Sequence, residues 1–188
     1  MGIFGILKQL PSYASDIQEN LTDIFIRELE HLTKTQIYGI ALTVGYSLKH
    51  EYLLNCIRSE AKMYLEQDDA TACKVASITI SMTSVYHKFN KEVEDKELRS
   101  MHSKLKMSQL AIYGNNQPNF DMYCLAISIL NGCRYCMNIH INKLLNAKVS
   151  KETIQHIARI VAVLQATRDT LEIEGMRSYD FLTRGEGL

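Results

Sequence analysis

Apolar residues recur along this chain at intervals of three and four, the spacing of one face of an α-helix. From Pro11-Ser12, which has the form of a helix start, Ile17, Leu21, Ile24, Phe25 and Leu29 follow that spacing with Asp and Glu between them. Thr33-Lys34-Thr35-Gln36 has the capping-box pattern and precedes the apolar stretch Ile37 to Leu48, which predicts a mostly buried second helix. A third is expected from His50 to Leu65. Asp68-Asp69 would cap a fourth, Ala70 to Phe89, with Val75, Ile78, Met82 and Val85 as its apolar stripe. The charged segment from Lys91 to Lys106 predicts a solvated helix or surface excursion, and Gly114-Asn115-Asn116-Gln117-Pro118 a loop. The apolar run Asp121 to Leu130 then predicts a buried helix closed by Asn131-Gly132, where a left-handed residue is needed. Ser150 would cap a last long helix through Ile154, Ile157, Val161, Leu164 and Leu171, and residues 175–188 form a frayed tail.

Every predicted element is helical, and composition agrees. Hydrophobic residues make up 46% of the 188, with only 2 Pro and 9 Gly, which favours an all-α globular fold over a β-sandwich or disorder. One domain over 1–188 is expected, with its core at about 11–174. Sliding the chain by 85 residues sets Tyr38 on Tyr123, Ala41 on Ala126, Thr43 on Ser128, Lys49 on Arg134 and Lys74 on Arg159. The halves therefore look duplicated. In that register Leu48, Glu51 and Asn55 stand where the second copy has Cys133, Cys136 and His140, so the first copy is read as scaffold.

Charge narrows the partners. Lys+Arg and Asp+Glu both number 21, which leaves no global field to draw nucleic acid or an anionic membrane and favours small-molecule or protein partners. Five cysteines, of which Cys56, Cys73 and Cys124 are isolated, do not form a secreted disulfide framework and fit a reducing cytoplasm. The start Met1-Gly2-Ile3-Phe4-Gly5-Ile6 has no leader pattern, and no apolar run approaches the roughly 18 residues of a membrane span, so a soluble protein is expected.

The reactive side chains concentrate in Asn131-Gly132-Cys133-Arg134-Tyr135-Cys136-Met137-Asn138-Ile139-His140. A helix beginning at about Cys133 would carry Cys133, Cys136 and His140 on one face. The thiolate is the nucleophile, and a free Cys near pKa 8.5 is only slightly ionised at neutral pH. Lowering that pKa by about two units takes roughly 2.7 kcal/mol, whereas a helix N-terminus supplies about 0.3 to 1 kcal/mol. A second group is needed, and His140 could serve as base or cation. Closing the Cys-x-x-Cys disulfide would store two electrons reversibly. Other readings are a structural pair and a zinc site built from the same three residues, although no second pair follows at finger spacing. Haem attachment is excluded because Met137 follows Cys136. His31, His50, His87, His102 and His156 read as surface or core histidines, and Asp121 as an N-cap after Pro118. No phosphate loop, nucleophile elbow or dinucleotide fingerprint is present.

This order of an acidic residue, an apolar helix, Asn-Gly, Cys-x-x-Cys and His four residues on resembles alkyl hydroperoxide reductase D, the AhpD branch of the carboxymuconolactone decarboxylase-like superfamily. The similarity runs from about Pro11 through Met82-Thr83-Ser84-Val85-Tyr86 and Leu105-Lys106-Met107 to about Glu174. The resemblance implies that Cys136 is the peroxidatic and Cys133 the resolving cysteine, and that His140 is the family's histidine. Asp121 falls on the family's glutamate, where it would relay a proton through His140 or a water, and Tyr135 falls on its frequent histidine. Both are departures from the pattern. The resemblance also brings Tyr86-His87-Lys88 near the site. It further implies antioxidant reduction of hydroperoxides or recycling of a two-cysteine peroxiredoxin, an external dithiol reductant on a dihydrolipoyl protein, no bound cofactor, and a homotrimer. The rival is a non-catalytic redox-sensing or interaction module on the same scaffold. Lactone decarboxylation is disfavoured, since that branch has no use for the dithiol.

Overall fold

In the computed structural model, residues 2–27, 29–114 and 118–176 are described. Every regular element among them is helical: α1 (Ile3–Gln9), a 3-10 turn at Ser12–Ala14, α2 (Ser15–Phe25), α3 (Lys34–Leu48), α4 (Glu51–Ala61), α5 (Gln67–Glu92), α6 (Lys96–Ser100), α7 (Ser108–Tyr113), α8 (Pro118–Leu130), α9 (Arg134–Asn146) and α10 (Lys151–Ile173). The centre is made by α3, α5, α8 and α10. There α3 packs on α5, α8 and α10, and α8 also packs on α5 and α10. Flanking them, α4 lies on α3 and α9 lies on α8 and α5.

Local signals set most boundaries. The Gln36 N–H donates to the Thr33 hydroxyl at 3.2 Å while the Thr33 N–H donates to Gln36 Oε1 at 3.0 Å, so the predicted capping box starts α3. The Ser150 hydroxyl accepts from the Thr153 N–H at 3.1 Å and starts α10. Elsewhere the boundaries shift. The stretch beginning at Pro11-Ser12 opens as a 3-10 turn before α2, and α4 stops at Ala61 rather than Leu65. The cap of α5 is Glu66, with Asp68 and Asp69 inside the first turn; the Asp69 carboxylate accepts from the Glu66 N–H at 3.1 Å. The charged segment is an exposed excursion around the short α6. Of the loop expected at 114–118 and the tail at 175–188, residues 115–117 and 177–188 lie outside the described residues.

The apolar stripe expected on α5 faces mostly outward. Of the stripe assigned to α5, only Val75 is buried, while Ile78 and Val85 are 69% and 71% exposed and Met82 also faces outward. The buried face is instead Cys73, Ala76, Ser77, Ile80, Thr83 and Ser84. Small and hydroxyl side chains let α5 approach α3 and α8 closely, which larger residues would prevent.

The duplication is visible as α3-α4-α5 followed by α8-α9-α10. Thr43 and Ser128, at the 85-residue offset, each donate a hydroxyl to the carbonyl four residues back, Gly39 at 2.8 Å and Cys124 at 2.7 Å. Beyond α3 and α8 the register slips by two. His50 caps α4 by accepting from the Leu53 N–H, as Cys133 caps α9 by accepting from the Cys136 N–H. The structural counterparts of Cys133, Cys136 and His140 are therefore His50, Leu53 and Ile57, and not Leu48, Glu51 and Asn55.

Candidate active site

The site begins where α8 ends. Gly132 adopts φ +62°, a left-handed conformation that costs glycine little, and the Cys133 N–H bonds back to the Ser128 carbonyl at 2.9 Å. This closure places Cys133 at the N-cap of α9, where its Sγ accepts the Cys136 N–H at 3.2 Å. Both cysteines are buried, and they are joined as a disulfide with Cα atoms 5.3 Å apart. On the other side of the pair, Ser84 of α5 sets its Oγ 3.8 Å from Cys136 Sγ. The Asn131 amide donates to the same Ser84 oxygen at 3.4 Å.

One turn beyond Cys136, His140 is buried with its Nδ1 2.9 Å from Asp121 Oδ1. Lys143, a further turn along α9, donates to that carboxylate oxygen at 3.3 Å. Asp121 lies in the first turn of α8 and its carboxylate is spent on these two groups, so it is not the N-cap of that helix. It reaches His140 without a bridging water. With ionised Asp121 as acceptor, Nδ1 is the donor of the neutral ring and Nε2 keeps the lone pair, the form required of a base. The Lys143 ammonium and the imidazole together explain how a carboxylate tolerates burial, because an unpaired one would be strongly disfavoured.

The remaining thiols are buried. Burial pushes Cys73 up to about 12, against a smaller lowering by the Thr43 hydroxyl. Burial raises Cys124 as well, and the Asp121 carboxylate adds to that. Cys56 is fully buried. Burial thus favours the protonated thiol at Cys73 and Cys124.

A cleft of about 780 Å³ opens beside the pair, with Cys133 and Tyr135 in one wall and His87, Lys88 and Lys91 in the other. Tyr135 is 58% exposed, and its ring lies 4.3 Å from that of His87. Burial lowers the pKa of His87, which favours the neutral imidazole. The fourth helix runs to Glu92 rather than ending at Phe89, so Tyr86-His87-Lys88 lies inside α5. His50 is buried as the cap of α4, and its Nε2 is 3.9 Å from a Glu172 oxygen. Among the described residues no three His, Cys, Asp or Glu side chains converge in a way that could hold a metal ion.

Comparison with known proteins decides the family. Residues 116–171 match the carboxymuconolactone decarboxylase family. The chain is similar to the alkyl hydroperoxide reductase AhpD of Coxiella burnetii (strain Dugway 5J108-111), with 35% identity over 167 residues, 88% of this chain and 94% of the relative. The chain belongs to the AhpD family. It is also similar to the AhpD proteins of Azorhizobium caulinodans, at 30% identity over 93% of this chain and 96% of that one, and Solibacter usitatus, at 27% over 90% and 94%.

Within this AhpD chain, the fold brings Cys133, Cys136, His140 and Asp121 together, as their sequence positions suggested. It adds Ser84, Asn131 and Lys143. The last was legible, since Cys136, His140 and Lys143 are spaced by four and three on one helix face. Ser84 was hidden by assigning the wrong face of α5 to the core. Asn131, at the end of α8, also holds the Ser84 hydroxyl.

Proposed function

We propose that this chain is a thiol-dependent peroxide reductase working through Cys133 and Cys136. The observation that carries the reading is the buried redox disulfide at a helix start, one turn from a histidine that is paired with a carboxylate. In the reduced protein, the Cys136 thiolate attacks a peroxide oxygen. The O–O bond breaks, the alkoxide leaves as the alcohol by taking the proton that His140 had accepted from the Cys136 thiol while Asp121 holds the imidazole, and Cys136 becomes a sulfenic acid. Cys133 then attacks that sulfur, water departs, and the disulfide forms. Two electrons from an external dithiol restore the pair, and the resemblance makes a dihydrolipoyl protein the donor. The cleft beside Cys133 supports an approach route for substrate or reductant. Passing electrons to a two-cysteine peroxiredoxin uses the same dithiol with a disulfide in place of the peroxide.

No helix among the described residues is long and apolar enough to cross a membrane. Cys73 and Cys124, buried cysteines kept as thiols, support a reducing cytoplasm as the working compartment. Ile78, Met82, Val85 and Phe89 form an exposed apolar stripe along α5, which supports self-association, and the family resemblance makes the assembly a homotrimer. The test is turnover of an alkyl hydroperoxide with dihydrolipoamide supplied in excess. A reductase consumes many equivalents per chain, whereas a redox-sensing module stops after one.

A further inference from the structure

We propose that Ser84 is a further catalytic residue, whose hydroxyl holds the negative charge on Cys136 Sγ when the pair is reduced. The inference rests on Cys136 being the attacking sulfur. Ser84 Oγ lies 3.8 Å from that sulfur, within the range of a hydrogen bond to sulfur. In the disulfide neither sulfur carries a hydrogen, so the hydrogen between them belongs to the serine. The Asn131 amide donates to the same oxygen, which occupies a lone pair and leaves the O–H to point elsewhere. Ser84 is 2% exposed, so solvent does not replace either contact.

A donor is needed at this atom. The first free N–H of α9 that reaches a sulfur is that of Cys136 itself, and it is taken by Cys133 Sγ at 3.2 Å. The helix terminus therefore serves the first cysteine, while the second draws its donor from α5 across the interface between α5 and α9. Reduction places charge on Cys136 Sγ and turns a weak contact with a neutral sulfur into a charge-assisted one. Asn131 acts through Ser84 and is a positioning residue.

The test uses the reduced protein carrying Cys133→Ser, in which serine retains the N-cap and only Cys136 reacts. Its rate with a small neutral disulfide, 2,2′-dipyridyl disulfide, is followed from pH 5 to 10 with and without Ser84→Ala. The titratable groups on the helices packed here, His140 and Lys143 on α9, Asp121 on α8 and His87 on α5, are the same in both. Removing the hydroxyl is expected to raise the Cys136 pKa by about one unit, which is 1.36 kcal/mol of lost stabilisation. The thiolate fraction then falls about tenfold below that pKa, while each thiolate becomes about threefold more nucleophilic. The net expectation is a variant about threefold slower at low pH, about threefold faster at high pH, with curves that cross. Ser84→Thr, which keeps the hydroxyl, should restore the original profile, and Asn131→Ala should shift it the same way by less. Superimposable profiles, or a slowing that is uniform across pH, would overturn the role. Should Ser84→Ala fail to fold, the Asn131→Ala profile decides in the same way. No peroxide enters this measurement, so the role of Ser84 can stand even where the wild-type protein consumes none.

Discussion

His140 and Asp121 meet directly: Nδ1 and Oδ1 are 2.9 Å apart in a buried pocket, and Lys143 closes on the same oxygen. The carboxylate comes from the first turn of α8 and the imidazole from the second turn of α9, so the helix pair itself sets the contact. A carboxylate at Nδ1 favours the tautomer with the hydrogen on that nitrogen and the lone pair on Nε2.

Asp121→Asn should therefore slow Cys136 thiolate reactivity about tenfold or more at neutral pH, because an amide can donate to Nδ1 and reverse the tautomer. Its melting temperature should change little, since the side chain is nearly isosteric. The longer carboxylate of Asp121→Glu is not needed for contact and has to displace the ring, so it should not exceed the wild-type rate. Equal alkylation rates for Asp121→Asn and wild type from pH 5 to 9 would make the pair structural only.

The two cysteines differ in surroundings and should differ in chemistry. Cys133→Ser should react once with peroxide and leave a sulfenic acid at Cys136 that dimedone traps, while Cys136→Ser should consume none. Cys133, with the helix-terminal N–H on its sulfur, is the structural competitor for the attacking role. Dimedone labelling of Cys133 in the Cys136→Ser protein would reverse the assignment.

Buried thiols should show in the alkaline limb of the stability curve. Cys73 sits at about 12 when folded, with burial as the main cause. An unfolded thiol ionises near pH 8.5. Between these values the folded state keeps a proton that the unfolded state has lost, so this contribution is full below about pH 8.5 and is lost as pH rises toward about 12. The melting temperature should fall across that window, and less steeply in Cys73→Ala than in wild type. At pH 7 a thiol reagent should label the reduced native protein at Cys133 and Cys136 and leave Cys73 and Cys124 untouched.

The outward stripe on α5 should hold copies together. A charge at Val85 or Ile78, each largely exposed in the single chain, should not disturb the core. Val85→Glu with Ile78→Glu should convert a trimeric mass in light scattering to a monomeric one at unchanged helix content. A wild-type chain that is monomeric at micromolar concentration would rule out the homotrimer.

Much of this was legible in the chain. Thr33-Lys34-Thr35-Gln36, Ser150 and Asn131-Gly132 mark helix ends because capping is local, and Cys133, Cys136 and His140 share a face because helical spacing is local too. What was not legible depends on packing between helices. On α5 both faces carry apolar residues, and the close approach of α3 and α8 selects the small ones for the core, which turns Ser84 toward Cys136 and Val85 toward solvent. Likewise the carboxylate of Asp121 could have capped α8, and only the crossing of α9 over that helix gives it His140 and Lys143 as partners.

A reduced Cys133–Cys136 pair that delivers two electrons to a peroxide should show this on rapid mixing with an alkyl hydroperoxide while free thiols are counted. Two thiols should be lost per peroxide consumed, the Cys133–Cys136 disulfide should appear, and the rate should lie well above that of free cysteine at the same pH. No loss of thiols, or loss no faster than from free cysteine, would rule out the dithiol as the electron source.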